Sequence, residues 1–260
     1  MIEMSMKGRT ALVTGASKGI GLAIATNFAL AGASVALVAR TASTLGSAQS
    51  EIGKLAGDVK LLAIPADVST AQGCADAFMT AEKELGRIDV LVNNAGISAA
   101  KPFCEVTDEE WHDDLDLKLF AAIRLSRLAF PKMVDRQWGR IINVLNTGAK
   151  APRANSTPTS VSRAAGLALT KALSAEGAPH NVLVNSVHVG LIESDQWVRR
   201  AEKQGRPLAE LYAEMGENVP MGRLGTAEEF ANMVLFLASD AGSYVTGTAI
   251  NIDGGMTPVT

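Results

Sequence analysis

The chain has 260 residues, of which 47% are hydrophobic and 20% charged, so it can bury a full core and is not a disordered polymer. Lys and Arg number 24 against 27 Asp and Glu, a net charge of −3, which excludes a broad electrostatic footprint for nucleic acid; no nucleic-acid partner is expected. Its two cysteines, Cys74 and Cys104, form neither a disulfide framework nor a zinc-binding spacing, so no metal site is expected and a reducing compartment fits. The opening run MIEMSMKGRTALVTG carries no apolar signal segment, and no stretch approaches the roughly 18 to 20 apolar residues of a membrane helix. A soluble, cytoplasmic protein with no membrane partner is expected.

Short β-rich runs alternate with helical patterns from end to end. Strands are predicted at Thr10–Thr14, Ser34–Ala39, Val59–Ile64, Ile88–Val92, Arg140–Leu145, Val182–Val187 and Thr248–Ile252. Each is nearly continuous in apolar residues, as a parallel strand covered on both faces requires. Thr107-Asp108-Glu109-Glu110 and Thr226-Ala227-Glu228-Glu229 have capping-box spacing at predicted helix starts, and Ser69 is placed as the cap of a third helix. Seven strands joined by crossovers predict an α/β fold: a doubly wound, parallel seven-stranded sheet with helices on both faces. No linker or repeat divides the chain, so residues 1–260 read as one domain. The least regular stretch, residues 193–225, lies between the sixth and seventh strands and is read as a substrate-covering segment.

The first strand runs into Thr14-Gly15-Ala16-Ser17-Lys18-Gly19-Ile20-Gly21. Glycines at 15, 19 and 21 allow a tight turn and close backbone approach, and the N–H groups opening the next helix favour a pyrophosphate. The spacing is GxxxGxG rather than GxGxxG. The second strand ends in Ala39-Arg40-Thr41, where an acidic residue would repel a ribose 2′-phosphate. Arg40 offers a fork of donors instead, and Lys18 adds a second positive charge. Both favour NADP over NAD.

TGASKGIG, Asp67-Val68, Asn93-Asn94-Ala95-Gly96, Gly139-Arg140-Ile141-Ile142-Asn143, Val184-Asn185-Ser186-Val187 and Asp253-Gly254-Gly255 together resemble the short-chain dehydrogenase/reductases over roughly residues 7–256. The resemblance implies a Rossmann-fold subunit that binds NAD or NADP, acts on a small-molecule substrate and assembles as a homotetramer or homodimer. It implies that Gly15, Ser17, Ile20 and Gly21 line the pyrophosphate and ribose. Asp67 and Val68 would meet the adenine, Asn94, Ala95 and Gly96 would pass beneath the riboses, and Ile192 and Ser194 would flank the nicotinamide. Apolar residues along Thr107–Arg136 and Thr159–Ala175, Phe120, Ile123, Phe130, Leu167, Leu169 and Leu173 among them, also point to association of copies.

The family's catalytic asparagine, serine, tyrosine and lysine are not present. The tyrosine and lysine positions fall on Thr159 and Arg163, the serine on Asn146 and the asparagine on Lys118. The sequence resembles an atypical branch of the family that keeps the coenzyme fold but replaces the tyrosine and lysine; the halohydrin dehalogenases fit poorly, because their nucleotide turn is rebuilt. Threonine does not ionise near neutral pH, and Arg163, expected to bind the coenzyme by forking onto its ribose hydroxyls, cannot shuttle protons. Two residues stand as proton donors, Lys118, expected beneath the nicotinamide with a lowered pKa, and His188, expected to follow the sixth strand close to the substrate. Lys118 and Arg163 together predict a doubly positive pocket for an acidic or strongly polarised carbonyl. Tyr212 is weighed as a residue reaching inward and Tyr244 as a packing residue. Three functions stay open: an NADP(H)-dependent oxidoreductase acting on a carbonyl or alcohol, a dinucleotide-binding protein without turnover, and a non-redox lyase or hydrolase.

Overall fold

A computed structural model describes residues 4–260. All seven predicted strands are present. They are β1 (Thr10–Thr14), β2 (Ser34–Ala39), β3 (Leu61–Pro65), β4 (Val90–Asn93), β5 (Gly139–Asn146), β6 (Val182–Val189) and β7 (Ala249–Ile252). They form one parallel sheet in the order β3-β2-β1-β4-β5-β6-β7. The order reverses between β1 and β4, and at such a switch point the crossovers diverge and leave a crevice beyond the carboxyl ends of the strands.

The alternation of side chains along each strand feeds two cores. Ala11 and Val13 of β1 face the layer built from α1 (Gly19–Leu30), α2 (Ala42–Ala56) and α9 (Ala227–Ala238), with Phe28, Leu45, Ile52 and Phe230 fully buried. Leu12 faces the opposite layer, where Phe78 of α3 (Ala71–Leu85) and Leu125 of α5 (Ala121–Asp135) are buried. Both predicted capping boxes form. Thr107 and Glu110 close the start of α4 (Asp108–Leu115), and Thr226 and Glu229 close that of α9; each cap contributes about 1 kcal/mol. The cap of α3 is Thr70, whose hydroxyl accepts from the Gly73 N–H, and not Ser69, whose hydroxyl is held by Asp67.

Two local features position the site. Between α4 and α5 the chain widens into a single π-helical turn, Asp116–Phe120, which carries Lys118. Such turns re-aim side chains and recur at functional sites. Helix α6 (Thr159–Gly177) buries a stripe of small residues, Thr159, Ser162, Gly166, Thr170 and Ser174. A Cβ on Gly166 would lie 2.9 Å from a Leu145 methyl, so the helix packs directly on β5 and brings its first turn to the end of that strand.

Residues 193–225 contain α7 (Asp195–Gln204) and α8 (Leu208–Gly216). The base is pinned where Glu193 N–H donates to Gly225 and Gly225 N–H donates to Leu191. Among the described residues no helix is long and apolar enough to cross a membrane, and no group of three or more His, Cys, Asp or Glu is placed to hold a metal.

Candidate active site

The crevice at the β1–β4 switch point is a cavity of about 870 Å³, large enough for a dinucleotide with a small substrate. Its floor is the glycine turn. Gly15 has φ +67°, and a Cβ on Gly21 would sit 2.1 Å from the Gly15 carbonyl oxygen, so a side chain at 21 is incompatible with this turn. No side chain caps the start of α1, and its orphan N–H groups open on a cavity wall formed by Ser17, Lys18, Gly19, Ile20 and Gly21. Uncapped amides reinforced by the helix dipole are a site for an anionic diphosphate. Gly21→Ala is therefore expected to lower NADPH affinity by at least tenfold without unfolding the chain. Fluorescence titration alongside a thermal melt checks this, and undiminished affinity would show that the turn is not the binding element.

All fourteen residues expected to bind coenzyme line this one cavity: Gly15, Ser17, Lys18, Ile20, Gly21, Arg40, Asp67, Val68, Asn94, Ala95, Gly96, Arg163, Ile192 and Ser194. Several contribute by holding others. The Asn94 amide donates to the Thr14 carbonyl at 2.8 Å, and the Asn94 and Ala95 N–H groups donate to the Thr14 hydroxyl at 2.9 and 3.0 Å. Asn94 thus braces the glycine turn from the neighbouring strand. Arg40 and Thr41 are exposed at the mouth. Gln196, Trp197 and Arg199 of α7 also line the cavity, with the Trp197 indole N–H on the Ile192 carbonyl at 2.9 Å.

At the inner end, Asn146, Thr159 and Arg163 line the cavity as expected. The Asn146 Oδ1 is buried without a hydrogen-bond partner, an open acceptor on a residue of the cavity wall. Arg163 donates to the Val144 carbonyl at 3.0 Å, and a Cβ on Gly96 would meet its Nη2 at 2.4 Å. Glycine at 96 is what admits the guanidinium. Burial brings the Arg163 pKa down to about 10, which leaves it charged at neutral pH.

The two expected proton donors are not in the cavity wall. Lys118 lies behind Thr159, 4% exposed, with its ammonium on the Asp114 carboxylate and 2.9 Å from the Thr159 hydroxyl oxygen. Burial lowers its pKa, opposed by the Asp114 hydrogen bond and charge and assisted by Arg163. Because Asp114 neutralises it, the predicted double positive charge reduces to that of Arg163. His188 belongs to β6, which runs two residues further than predicted, and it is fully buried. Its Nε2 lies 3.0 Å from the Ser186 hydroxyl, and burial together with the Lys150 charge pulls its pKa down to about 4. It is a neutral core residue rather than a loop histidine at the substrate.

Neither tyrosine replaces the missing one. Tyr212 lines a neighbouring cavity with Glu193, Arg223 and Glu229, and Tyr244 is fully exposed rather than packed. The residue that sequence reasoning missed is Asp114. Its Oδ2 accepts from the Ser162 hydroxyl at 2.6 Å, and its Oδ1 takes the Lys118 ammonium and lies 3.4 Å from the Thr159 hydroxyl. The available signal was its spacing of four residues from Lys118 on one helical path.

Comparison with known proteins agrees with this fold. A family profile described as enoyl-(acyl carrier protein) reductase matches residues 15–257. The 3-oxoacyl-[acyl-carrier-protein] reductase of Aquifex aeolicus is 34% identical over 255 residues, covering 98% of this chain and 100% of its own. The crystal structure of L-sorbose reductase from Gluconobacter frateurii, complexed with NADPH and L-sorbose, superposes with a TM-score of 0.95 at 32% identity over 100% of both chains. An NADPH-bound short-chain oxidoreductase of Pseudomonas aeruginosa PAO1, containing an atypical catalytic center, superposes with a TM-score of 0.92 at 36% identity, over 98% of this chain and 99% of that one.

Proposed function

The chain belongs to the short-chain dehydrogenase/reductases, a family of NAD(P)-dependent oxidoreductases, and on that premise we propose that it reduces a carbonyl with NADPH, or oxidises the corresponding alcohol with NADP, through a non-standard proton route. The bound coenzyme supplies or accepts the hydride. Arg40 and Lys18 line the cavity and are the cations we assign to a 2′-phosphate, and two relatives carry NADPH in the same fold. One of those relatives is described by an atypical catalytic center, which supports the same description for the altered residues of this chain.

The single observation that carries the proton route is the environment of the Thr159 hydroxyl. Its oxygen accepts from the Ala99 N–H at 3.1 Å and from the Lys118 ammonium at 2.9 Å. A hydroxyl has two lone pairs and one proton, so the proton is what remains to be given. Its contact to Asp114, at 3.4 Å, is long for an O–H···O bond and easily exchanged. As charge develops on a substrate oxygen, Thr159 donates its proton and takes one from Lys118 in the same movement. The substrate oxygen gains one proton, Lys118 loses one, and no free threonine alkoxide forms. Lys118 is recharged by the reverse path once the cavity admits water. Asn146, with its buried open Oδ1, and Arg163, packed on Gly96, fix substrate and coenzyme on either side. His188 keeps only a structural part in this scheme.

The assembly is proposed as a homotetramer, or a homodimer, of a cytoplasmic protein. Phe120 and Val161, 43% and 47% exposed at the starts of α5 and α6, are apolar surface that a second copy would cover. Light scattering at micromolar concentration is expected to give a multiple of the subunit mass; a monomeric mass would end this part of the proposal.

A further inference from the structure

We propose that Asp114 is the positioning residue of this site: its buried carboxylate holds the Lys118 ammonium against the Thr159 hydroxyl. The inference rests on the proton route described above and extends it to a residue that does not touch substrate.

A buried carboxylate is costly unless each oxygen is satisfied. Asp114 is 1% exposed at its side chain and its partners are all residues of the proton route or its immediate neighbours. Oδ1 takes Lys118, with Thr159 at its edge, and Oδ2 takes the Ser162 hydroxyl at 2.6 Å. Ser162 follows Thr159 by one helical turn, and its hydroxyl oxygen also lies 3.0 Å from the Thr159 carbonyl oxygen. The carboxylate is thus clamped from α6 on one oxygen and clamps the π-helical turn with the other. The widened turn matters because it sets Lys118, one turn after Asp114, on a path toward α6. Without the carboxylate, a buried ammonium next to Arg163 would lose its proton or swing away, and Thr159 would lose one of its two donors.

The charged groups that act on Lys118 are Asp114 from α4 and Arg163 from α6. Desolvation and Arg163 favour neutral lysine, and Asp114 opposes them. Removing the Asp114 charge must therefore lower the pH at which Lys118 deprotonates.

The test compares the parent with Asp114→Asn and Asp114→Glu by two readouts. The first needs no coenzyme: the ¹³Cε signal of Lys118, identified as the one missing from Lys118→Met, is titrated by NMR. Asp114→Asn is expected to move its midpoint to lower pH by about one unit or more. The second is the pH profile of kcat for NADPH-dependent reduction of a carbonyl that the parent accepts. The limb on which activity is lost as pH rises is expected to move down with the NMR midpoint, and kcat at neutral pH to fall by about 10- to 100-fold. Asp114→Glu keeps the charge, so it restores the limb while lowering kcat through misplacement. An unmoved NMR midpoint overturns the role of Asp114. A moved midpoint with an unmoved kcat limb overturns Lys118 as the proton source and leaves the hold of Asp114 on it intact. If Asp114→Asn does not fold, Asp114→Glu carries the test alone: kcat equal to the parent's would overturn the positioning role.

Discussion

Thr159→Val is expected to lower kcat for carbonyl reduction by a factor on the order of 100 or more, the usual contribution of a positioned proton donor, while NADPH affinity stays within a few-fold. Valine matches threonine in shape and removes only the hydroxyl. The coenzyme contacts expected of the glycine turn, Arg40 and Arg163 are untouched by that change. The Ala99 N–H and one bond of the Lys118 ammonium lose their acceptor, which costs about 1 to 3 kcal/mol of stability, so a thermal melt must accompany the kinetics. Thr159→Ser restores the hydroxyl and is expected to recover most of the activity. If Thr159→Val keeps parental kcat on a confirmed substrate, the proton comes from elsewhere.

Arg40→Asp is expected to reverse the coenzyme preference from NADPH to NADH, changing the ratio of the two dissociation constants by more than about tenfold, and each tenfold step is about 1.4 kcal/mol. The carboxylate repels a 2′-phosphate and accepts from a 2′-hydroxyl. Because Arg40 is exposed at the cavity mouth, the preference of the parent is expected to weaken as salt screens the charge. Equal affinities of the parent for both coenzymes, measured by fluorescence titration at low salt, would remove Arg40 from the account.

The fold and the coenzyme half of the site were legible because they rest on local rules. A parallel strand buried on both faces must be apolar throughout, and β1 and β2 have the predicted limits. The glycine turn announces itself because Gly21 has no room for a side chain. The catalytic half depends on depth, which spacing does not encode. Thr159 and Arg163, read from register, line the cavity. Lys118 was placed one layer too near the cavity, since its four-residue spacing from Asp114 does not reveal the π-helical turn or the depth of the carboxylate behind it. Asp114 stands in the run Asp108-Glu109-Glu110-Trp111-His112-Asp113-Asp114, where an acid reads as part of a solvated helix start; only the packing of α6 buries it. His188 was misplaced by two residues of strand, enough to exchange a loop at the substrate for the core.

The most direct test of the central claim follows the hydride itself. Purified protein is incubated with NADPH deuterated at C4 of the nicotinamide, on the face that is transferred, together with a panel of ketones, keto acids and 3-oxoacyl thioesters, and the alcohols formed are analysed by mass spectrometry. An oxidoreductase with the proton route described here gives at least one alcohol carrying one deuterium at the former carbonyl carbon, and Lys118→Met gives none while still quenching NADPH fluorescence. Tight NADPH binding with no deuterium transferred to any member of the panel, followed by its appearance when Thr159→Tyr and Arg163→Lys are introduced together, would contradict the account and mark the chain as a coenzyme-binding protein without turnover.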